Sequence, residues 1–319
     1  MPLRVAVQMD PIEAVGIAGD STFALMLKAQ ELGHRLFHYL ARDLTYEDGR
    51  VRAPAREVTV QRVADNHYSA AETQILDLGR DVDVVLMRQD PPFDIAYITA
   101  TYLLERLAGE ALVVNDPKAV RDAPEKLFVL DFARFMPPTL ITRSLAEVER
   151  FHGAHREIVL KPLHGNAGAA VFRIGADGRN LKALAELFLE TWAEPFIAQA
   201  FLPAVTEGDR RIILVDGEVA GAINRIPPDG EIRSNLAAGG RAEPAELDDR
   251  EREICAALGP ELKRRGLLFV GIDVIGGMLT EINVTSPTGI VALDAFNGTD
   301  TPALIWQAIE QRLAERGRG

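Results

Sequence analysis

Apolar and polar positions along the first 120 residues follow two alternating patterns. Four short apolar runs have the length of buried strands, at positions 3–9, 35–40, 82–87 and 111–114. The segments 21–32 and 94–107 lie between them and carry helix signals, since Asp20 or Ser21 can cap the first and Gly33 follows its end. Strands that alternate with helices predict a parallel sheet with covering helices, so we expect an N-terminal α/β domain.

The remainder of the chain mixes strands and helices without this regular alternation. We predict strands at 158–160, 170–174, 196–201, 211–215 and 219–223, and helices at 125–132, 181–192, 249–265 and 302–316. Asp216-Gly217 joins two of these strands and is a strong hairpin signal. The polar, glycine-rich stretch 227–246 has no periodicity, and so long a segment inside a compact domain is typical of a lid or binding loop.

The length of the chain and its proline-containing dipeptides indicate how it divides. A chain of 319 residues fits two or three modules that share interfaces. Asp-Pro at 116–117 and Ala-Pro at 123–124 mark a boundary after the α/β domain. We expect three modules with the second and third facing each other, at residues 1–122, 123–202 and 203–319.

Charge and cysteine content exclude several classes of function. With 35 Lys and Arg against 47 Asp and Glu, the formal charge is −12, and a surface this acidic repels nucleic-acid backbones and anionic lipid. The single cysteine, Cys255, cannot form an internal disulfide, which fits a reducing compartment. The chain shows no signal-peptide pattern and no apolar stretch of the ~20 residues that span a bilayer. We therefore expect a cytoplasmic protein whose partners include neither nucleic acid nor membrane.

Residues 269–288 carry the most informative pattern, because polar side chains interrupt two apolar strands around a Gly-Gly pair. A two-residue turn would send Asp273 and Glu281 to opposite faces. A three-residue loop pairs them and gathers the apolar side chains on the other face. Burying one clean apolar face fixes the register, so we predict a three-residue loop at 276–278, with Asp273, Glu281 and Asn283 on one face.

These three side chains predict a metal site. Two carboxylates and an amide oxygen on one sheet face form an all-oxygen set suited to Mg²⁺, with water and ligand phosphates completing the shell. The alternative is a polar sheet face turned to solvent. The flanking strands read as buried, and an unpaired buried carboxylate costs several kcal/mol, so the sequence favours the metal.

A strand–loop–strand segment at 158–174 has the composition of a phosphate-binding loop. Lys161 ends an apolar strand, and Gly165 and Gly168 follow in the loop, where small residues let backbone N–H groups approach a phosphate. Taken alone this pattern is weak, because Lys161 could simply extend its ammonium to solvent. Lys126 is equally ambiguous as a lone residue.

The sequence resembles the prokaryotic glutathione synthetases, a family of ATP-grasp ligases, over roughly residues 3–316. The specific strings are MDPI, DSTFAL, MRQDPPFD, NDPKAVRDAPEKLF, GDRRIILVDGE, RIPPDGEIRSNLAAGGR and LTEINVTSPTGI. The resemblance implies an N-terminal α/β domain followed by a two-lobed ATP-grasp domain. It also implies a reaction in which ATP, γ-glutamylcysteine and glycine give glutathione, ADP and phosphate, with Mg²⁺ or Mn²⁺ as cofactor, in a homotetramer.

The resemblance also implies roles for individual residues. Lys126 and Lys161 would bind the phosphates of ATP, and Gly165, Asn166, Gly168 and Ala169 would belong to the loop over the triphosphate. Gln199, Ala200, Phe201 and Leu202 would hold the adenine, and Asp209 would contact the ribose. The metal ligands would be Asp273, Glu281 and Asn283. The peptide-substrate side would comprise Arg211, Arg225, Arg233, Asn235, Ser286, Pro287 and Thr288.

Chemistry and resemblance together give a mechanism and two rivals. The cysteinyl carboxylate would become an acyl phosphate that glycine's amine attacks, with Arg211 and Arg225 bracing the reacting groups and 227–240 acting as a lid. One rival keeps the fold but joins another acid–amine pair. The other is a nucleotide-binding regulator without catalysis, suggested by Ala167 where many members carry glycine.

Overall fold

The computed structural model describes residues 2–165, 168–235 and 239–317, and these residues form three sheets. The first sheet has the order β3-β4-β2-β1-β6-β7, with β5 pairing β4. Its strands are β1 (Arg4–Gln8), β2 (Arg35–Tyr39), β3 (Thr45–Glu47), β4 (Arg50–Val60), β5 (Tyr68–Asp77), β6 (Val84–Met87) and β7 (Leu112–Val114). The pairs within β2-β1-β6-β7 are parallel, which confirms the predicted parallel sheet.

The antiparallel strands β3, β4 and β5 were not predicted. Along β4 the buried residues alternate with partly exposed ones, but those nearest its centre, Ala53 and Ala55, are small and are separated by Pro54. β5 is exposed over most of its length, so it has almost no apolar pattern to detect. The sheet is therefore mixed, with a parallel centre and an antiparallel extension on one side.

Helices flank the parallel strands as the alternation predicted. They are α1 (Ser21–Glu31), α2 (Ile95–Leu104) and the short α3 (Pro117–Arg121). Asp20 caps α1, since its carboxylate accepts from the backbone N–H of Phe23 at 2.6 Å. Asp94 caps α2 through Tyr97 in the same way. Satisfying the free N–H groups of the first turn fixes where each helix begins.

The second sheet is antiparallel, in the order β10-β9-β11-β8. Its strands are β8 (Thr139–Thr142), β9 (Ile158–Pro162), β10 (Phe172–Ile174) and β11 (Phe196–Ala200), and it packs with the helices α4 (Leu145–His155) and α5 (Leu181–Thr191). The predicted helix at 125–132 is wrong in position and type. The chain instead forms a 3₁₀ helix, Phe128–Phe135, with non-helical dihedrals at Phe132 and with Phe128 and Phe135 anchoring it in the core.

The third sheet is antiparallel, in the order β14-β13-β12-β15-β16. Its strands are β12 (Asp209–Val215), β13 (Glu218–Ile226), β14 (Arg241–Ala245), β15 (Phe269–Ile275) and β16 (Met278–Asn283), and the helices after β13 are α6 (Asp249–Arg265), α7 (Ile290–Asn297) and α8 (Thr301–Glu315). The Asp216-Gly217 hairpin is confirmed. β14 lies within the segment predicted to be structureless. It is an edge strand, a position in which a proline such as Pro244 is tolerated.

The register of β15 and β16 agrees with the prediction, but the turn does not. Asp273 pairs with Glu281, as predicted. The loop has two residues, Gly276 and Gly277, both at positive φ, and not three. A bulge between Asp273 and Val274 supplies the extra residue on β16. The bulge has the effect expected of the longer loop, because it places Asp273 and Glu281 on the same face of the sheet.

The first and third sheets share apolar cores, so they form one body. One core joins Phe37 and Met87 of the first sheet to Ile272 and Ile282 of the third. Asn115 adds polar links to the third sheet. Its Nδ2 donates to the carbonyls of Phe269 and Val284, and its Oδ1 accepts from the N–H of Phe269. None of the described helices combines the length and the apolar character needed to cross a bilayer.

Candidate active site

A cleft of about 450 Å³ opens between the second and third sheets. The polar face of β15 and β16 forms one wall, and the strands β9 and β11 form the other. Asp90 and Pro91 of the first module also line it. Every residue predicted for the site lines this cleft except Asn166, which lies outside the described residues.

Asp273 is the centre of a buried ionic cluster on the polar face. Arg211 donates to both of its oxygens, at 2.6 and 3.0 Å, and Arg225 approaches Oδ2 at 3.0 Å. Burial opposes ionisation of this carboxyl, but the two guanidiniums outweigh it and hold the pKa of Asp273 well below its usual range. The carboxylate is thus charged, and two arginines are fixed at one point of the cleft.

Glu281 lies beside two lysines. Its Oε1 is 3.6 Å from Lys126 Nζ and 4.0 Å from Lys161 Nζ. Burial and the charge of Lys126 lower the pKa of Lys161, while Glu281 opposes that change. Lys126 comes from the start of the second module, before the 3₁₀ helix, and Lys161 comes from β9, so the fold gathers three distant parts of the chain here.

The glycine loop after β9 lies against the predicted lid. Lys126 Nζ donates to the carbonyl of Gly165. Gly168 has a φ of +74°, and a β-carbon there would lie 3.1 Å from Asn235 Oδ1 and 3.3 Å from the side chain of Arg233. Gly168 therefore serves both a left-handed backbone and a close approach between loop and lid. Ala167, the unusual residue, lies outside the described residues.

The end of β11 carries the residues that were predicted for the adenine edge. Gln199, Ala200, Phe201 and Leu202 line the cleft consecutively. Gln199 Nε2 donates to Thr139 Oγ1 at 2.8 Å. The backbone N–H groups of Ala200 and Phe201 already donate to carbonyls of neighbouring segments. Ala200 and Phe201 can therefore contact a nucleotide base only through their side chains and carbonyls.

Asp209 connects the segment predicted to be a lid, 227–240, to the arginine cluster. Its Oδ2 accepts from Ser234 of the lid at 2.7 Å and contacts Arg225. Burial raises the pKa of Asp209 to about 6, although the charge of Arg225 opposes this. Its Oδ1 is buried and has no hydrogen-bond partner among the described residues. Sequence reasoning missed Ser234, which adjoins the predicted Arg233 and Asn235.

The segment 286–288 joins the first module to the arginines. Ser286 Oγ donates to the carbonyl of Arg88 at 3.0 Å, and Arg88 Nη2 donates to the carbonyl of Pro287 at 3.0 Å. Arg211 Nη1 reaches the carbonyl of Thr288 at 3.3 Å. The three predicted residues thus lie where the first and third modules meet.

Glu125 is a cleft residue that sequence reasoning did not single out. Its Oε1 accepts from Thr285 Oγ1 at 2.9 Å, and its carbonyl accepts from Ile282 N–H at 3.1 Å. Burial raises the pKa of Glu125, with Lys126 opposing. The only signal was its place directly before Lys126.

The β15–β16 face offers a hard cation the oxygens of Glu281 and Asn283, beside Asp273, whose two oxygens already accept from Arg211. Asn283 donates its amide N–H to Asp273 Oδ2 at 3.3 Å. The amide oxygen of Asn283, Oδ1, is therefore the atom that could bind a metal. Glu281 is 22% exposed, so its carboxylate opens to the cleft. No group of three or more His, Cys, Asp and Glu in the described residues could hold a metal. A bound Mg²⁺ would therefore share its shell with phosphate and water oxygens.

Comparisons with known proteins agree over nearly the whole chain. Residues 3–121 match the family model "Prokaryotic glutathione synthetase, N-terminal domain", and residues 125–298 match "Prokaryotic glutathione synthetase, ATP-grasp domain". The glutathione synthetase of Agrobacterium fabrum is 53% identical over 97% of each chain. That of Rhodopseudomonas palustris is 54% identical over 98% of this chain and 100% of its own.

A solved structure has the same fold. The structure of D-cycloserine synthetase DcsG aligns with a TM-score of 0.69 and covers 97% of this chain and 99% of its own. The two sequences are only 19% identical. This likeness supports the ATP-grasp arrangement of the sheets and says nothing about the substrate.

Proposed function

From the premise that the chain belongs to the prokaryotic glutathione synthetase family, we propose where in its cleft the reaction takes place. The chain is an ATP-dependent carboxylate–amine ligase that joins γ-L-glutamyl-L-cysteine to glycine and releases ADP and phosphate. One observation carries the site assignment. Asp273, Glu281 and Asn283 share a face with two arginines, opposite two lysines and a glycine loop.

ATP is held along the wall made by β9 and β11. Lys126 and Lys161 face the phosphates, and the loop from Gly165 through Asn166 to Gly168 and Ala169 covers them. Gln199 to Leu202 lie against adenine. Asp209 contacts the ribose, and its unpartnered Oδ1 supports this role.

The metal ligands are Asp273, Glu281 and Asn283. When bound, Mg²⁺ neutralises charge on the phosphate oxygens during transfer. Asp273 also holds Arg211 and Arg225 in place. One carboxylate therefore positions both the metal ion and the two guanidinium groups beside the transferring phosphate. Positioning and electrostatics of this kind carry most of the catalysis in phosphoryl transfer.

The reaction proceeds in two displacements. The cysteinyl carboxylate attacks the γ-phosphorus, the bond to the β-phosphate oxygen breaks, and ADP leaves. The amine of glycine then attacks the acyl phosphate carbonyl, loses a proton, and expels phosphate. Arg211 and Arg225 face the negative oxygens that develop in both steps, while Arg233, Asn235, Ser286, Pro287 and Thr288 hold the peptide substrate.

The lid excludes water that would hydrolyse the acyl phosphate. Two contacts support this role. Ser234 anchors the lid to Asp209, and Arg233 and Asn235 lie against Gly168. Residues 236–238 lie outside the described part of the chain.

We also propose the module boundaries, assembly and location. The division at 1–122, 123–202 and 203–319 is supported by three sheets that each fall within one module. A homotetramer in the cytoplasm is supported by the resemblance. The outer edge of β5, which pairs with β4 alone among the described strands, offers a surface for another copy. Light scattering of the purified chain tests the assembly.

A product assay tests the function. The chain is incubated with ATP, Mg²⁺, γ-glutamylcysteine and glycine, and glutathione is measured by mass spectrometry alongside ADP. We expect equal amounts of both products. ADP formed only with another acid–amine pair would support a different ATP-grasp ligase, and nucleotide binding without ADP release would support a regulator.

A further inference from the structure

The cleft face of the second sheet extends beyond the residues assigned to ATP. Val159 and Lys161 of β9 line the cleft, and side chains two positions apart share a face, so Glu157 belongs to the same face. The register of β10 places Arg173 opposite Val159. The backbone N–H of Phe201 donates to the carbonyl of Glu157 at 3.0 Å, one position beyond the last pair of β9 and β11. Glu157, Arg173 and Phe201 therefore meet at one end of this face.

Phe201 is the only aromatic residue among the described residues that line the cleft. Its side chain is half-buried. The guanidinium of Arg173 lies over the ring, with Cζ 4.0 Å from the ring centroid. A cation within about 6 Å of a ring centroid is attracted to the π face. One face of the Phe201 ring is thus covered by a positive charge.

Glu157 holds both members of this contact. Its Oε2 accepts from Arg173 Nη2 at 2.6 Å and from Arg173 Nε at 3.2 Å. Its carbonyl accepts from the backbone N–H of Phe201. A single residue therefore fixes the backbone of Phe201 and also the cation that lies over its ring.

The ion pair between Glu157 and Arg173 is open to solvent. The side chain of Arg173 is 46% exposed and that of Glu157 is 38% exposed. Exposed ion pairs contribute little to the free energy of unfolding, because water screens them and ordering two long side chains costs entropy. Removing this pair should therefore leave the fold intact, and an effect on ligand binding would need a local cause.

We propose that Arg173, held by Glu157, is a positioning residue for nucleotide binding that keeps the ring of Phe201 in place beside the adenine. The inference rests on the proposed function, which puts adenine at the end of β11. A ring that is already ordered loses less conformational freedom when the nucleotide binds, so the contact raises affinity through preorganisation. Arg173 acts through Phe201 and not on the phosphates.

A ligand with a base and a ligand without one test the proposal. The calorimetric Kd of ADP and that of tripolyphosphate, which carries no base, are measured with Mg²⁺ on the full chain. We expect Arg173→Gln to raise the Kd of ADP about two- to fivefold and to leave that of tripolyphosphate unchanged. The KM of ATP should rise by the same factor with kcat unchanged. Glu157→Gln keeps an acceptor oxygen for the guanidinium, so its effect should be smaller.

The first module offers a matched control. Arg121 Cζ lies 3.8 Å from the ring centroid of Tyr102, and Arg121 Nη2 donates to Glu105 at 2.9 Å. Arg121→Gln therefore removes a contact and an ion pair of the same kind, away from the cleft lining. It should leave the Kd of both ligands unchanged.

Phe201→Ala separates this inference from the proposed function. Base–aromatic stacking predicts that the Kd of ADP rises on the order of 10-fold. Since Arg173 acts through the ring, Arg173→Gln should add nothing in the Phe201→Ala background. If Phe201→Ala bound ADP normally, adenine would not lie at the end of β11, and the proposed adenine edge would fall together with the inference.

Three results would overturn the positioning role alone. The first is a normal Kd of ADP in Arg173→Gln when Phe201→Ala weakens ADP binding. The second is an equal loss of ADP and tripolyphosphate binding in Arg173→Gln, which would indicate a general change at the site. The third is a full additional loss when Arg173→Gln is combined with Phe201→Ala, which would show that Arg173 acts independently of the ring.

Discussion

Arg211 donates to both carboxylate oxygens of Asp273, from Nε at 2.6 Å and from Nη2 at 3.0 Å. The planar guanidinium fork matches a carboxylate in this way, and lysine cannot reproduce it. A proposed metal ligand and a proposed catalytic arginine are thus held as one rigid unit. Arg225 contacts the same carboxylate and extends the unit to Asp209 and the lid. Changes at one member should therefore be felt at the others.

Arg225→Ala should slow catalysis far more than it weakens ATP binding. Arg225 faces the oxygens of the transferring group, so we expect kcat to fall on the order of 100-fold or more, with the Kd of ATP changed less than about threefold. Stopped-flow kinetics and calorimetry measure the two quantities. Arg225→Lys keeps a positive charge between Asp209 and Asp273, so it is the control variant that preserves the fold. The reverse pattern, normal kcat with weak ATP binding, would move Arg225 to the nucleotide.

Gly168→Ala should impair loop closure. The residue has a φ of +74°, and the added methyl would lie within 3.1–3.3 Å of Asn235 and Arg233. We expect a KM for ATP raised roughly 10-fold and a lower kcat, because strain costs about 1 kcal/mol or more and the lid must shift. Gly178→Ala, at φ +64° in the same module and away from the cleft, is the matched control. Equal kinetics for both variants would contradict a role for Gly168 in closure.

Sequence reasoning was most accurate where burial constrains the chain strongly. The pairing of Asp273 with Glu281 could be predicted because Ile272, Val274 and Ile282 need one buried face. The turn that achieves the pairing could not, since a longer loop and a bulge give the same faces. Strand β5 escaped prediction because it is exposed over most of its length, and β4 because its central buried residues are small alanines separated by a proline.

Polar contacts between residues that are distant in the chain could not be predicted from the sequence pattern either. Ser234 bonding Asp209, and Arg88 bonding Pro287, join residues 25 and 199 positions apart. Periodicity reports only which face of an element is buried. It does not report which distant polar group satisfies a given side chain. The metal-site residues could be predicted from the strand register and most of the other site residues through the resemblance, but the network that connects them needed coordinates.

Glu261→Gln should remove a pH-dependent contribution to stability. Hydrogen bonds from Arg264 and then Arg265 lower the pKa of Glu261 to about 2 from its ordinary 4.5. A lowered folded-state pKa stabilises the protein above pH 4.5, and that stability is lost as the pH falls toward 2. Such a shift corresponds to about 3 kcal/mol at most, but water screens this surface pair, so we expect about 1 kcal/mol or less. Urea unfolding at pH 7 and near pH 2 measures it. A difference between variant and parent that persisted undiminished near pH 2 would contradict the ion-pair origin.

Glu281→Gln is the most direct test of the proposed metal site. The substitution keeps the shape of the side chain but removes a charge that a divalent cation needs and that balances Lys126 and Lys161. We expect Mg²⁺-dependent ADP formation to fall on the order of 100-fold or more, with a higher Mg²⁺ concentration at half-activity. Circular dichroism should be unchanged, because Glu281 opens to the cleft and is not part of the apolar core. Glu218→Gln, an exposed carboxylate on β13 of the same sheet, should keep full activity. Near-normal turnover in Glu281→Gln would remove this residue from the site, and the metal would then have to be held by Asp273, Asn283 and ligand oxygens alone.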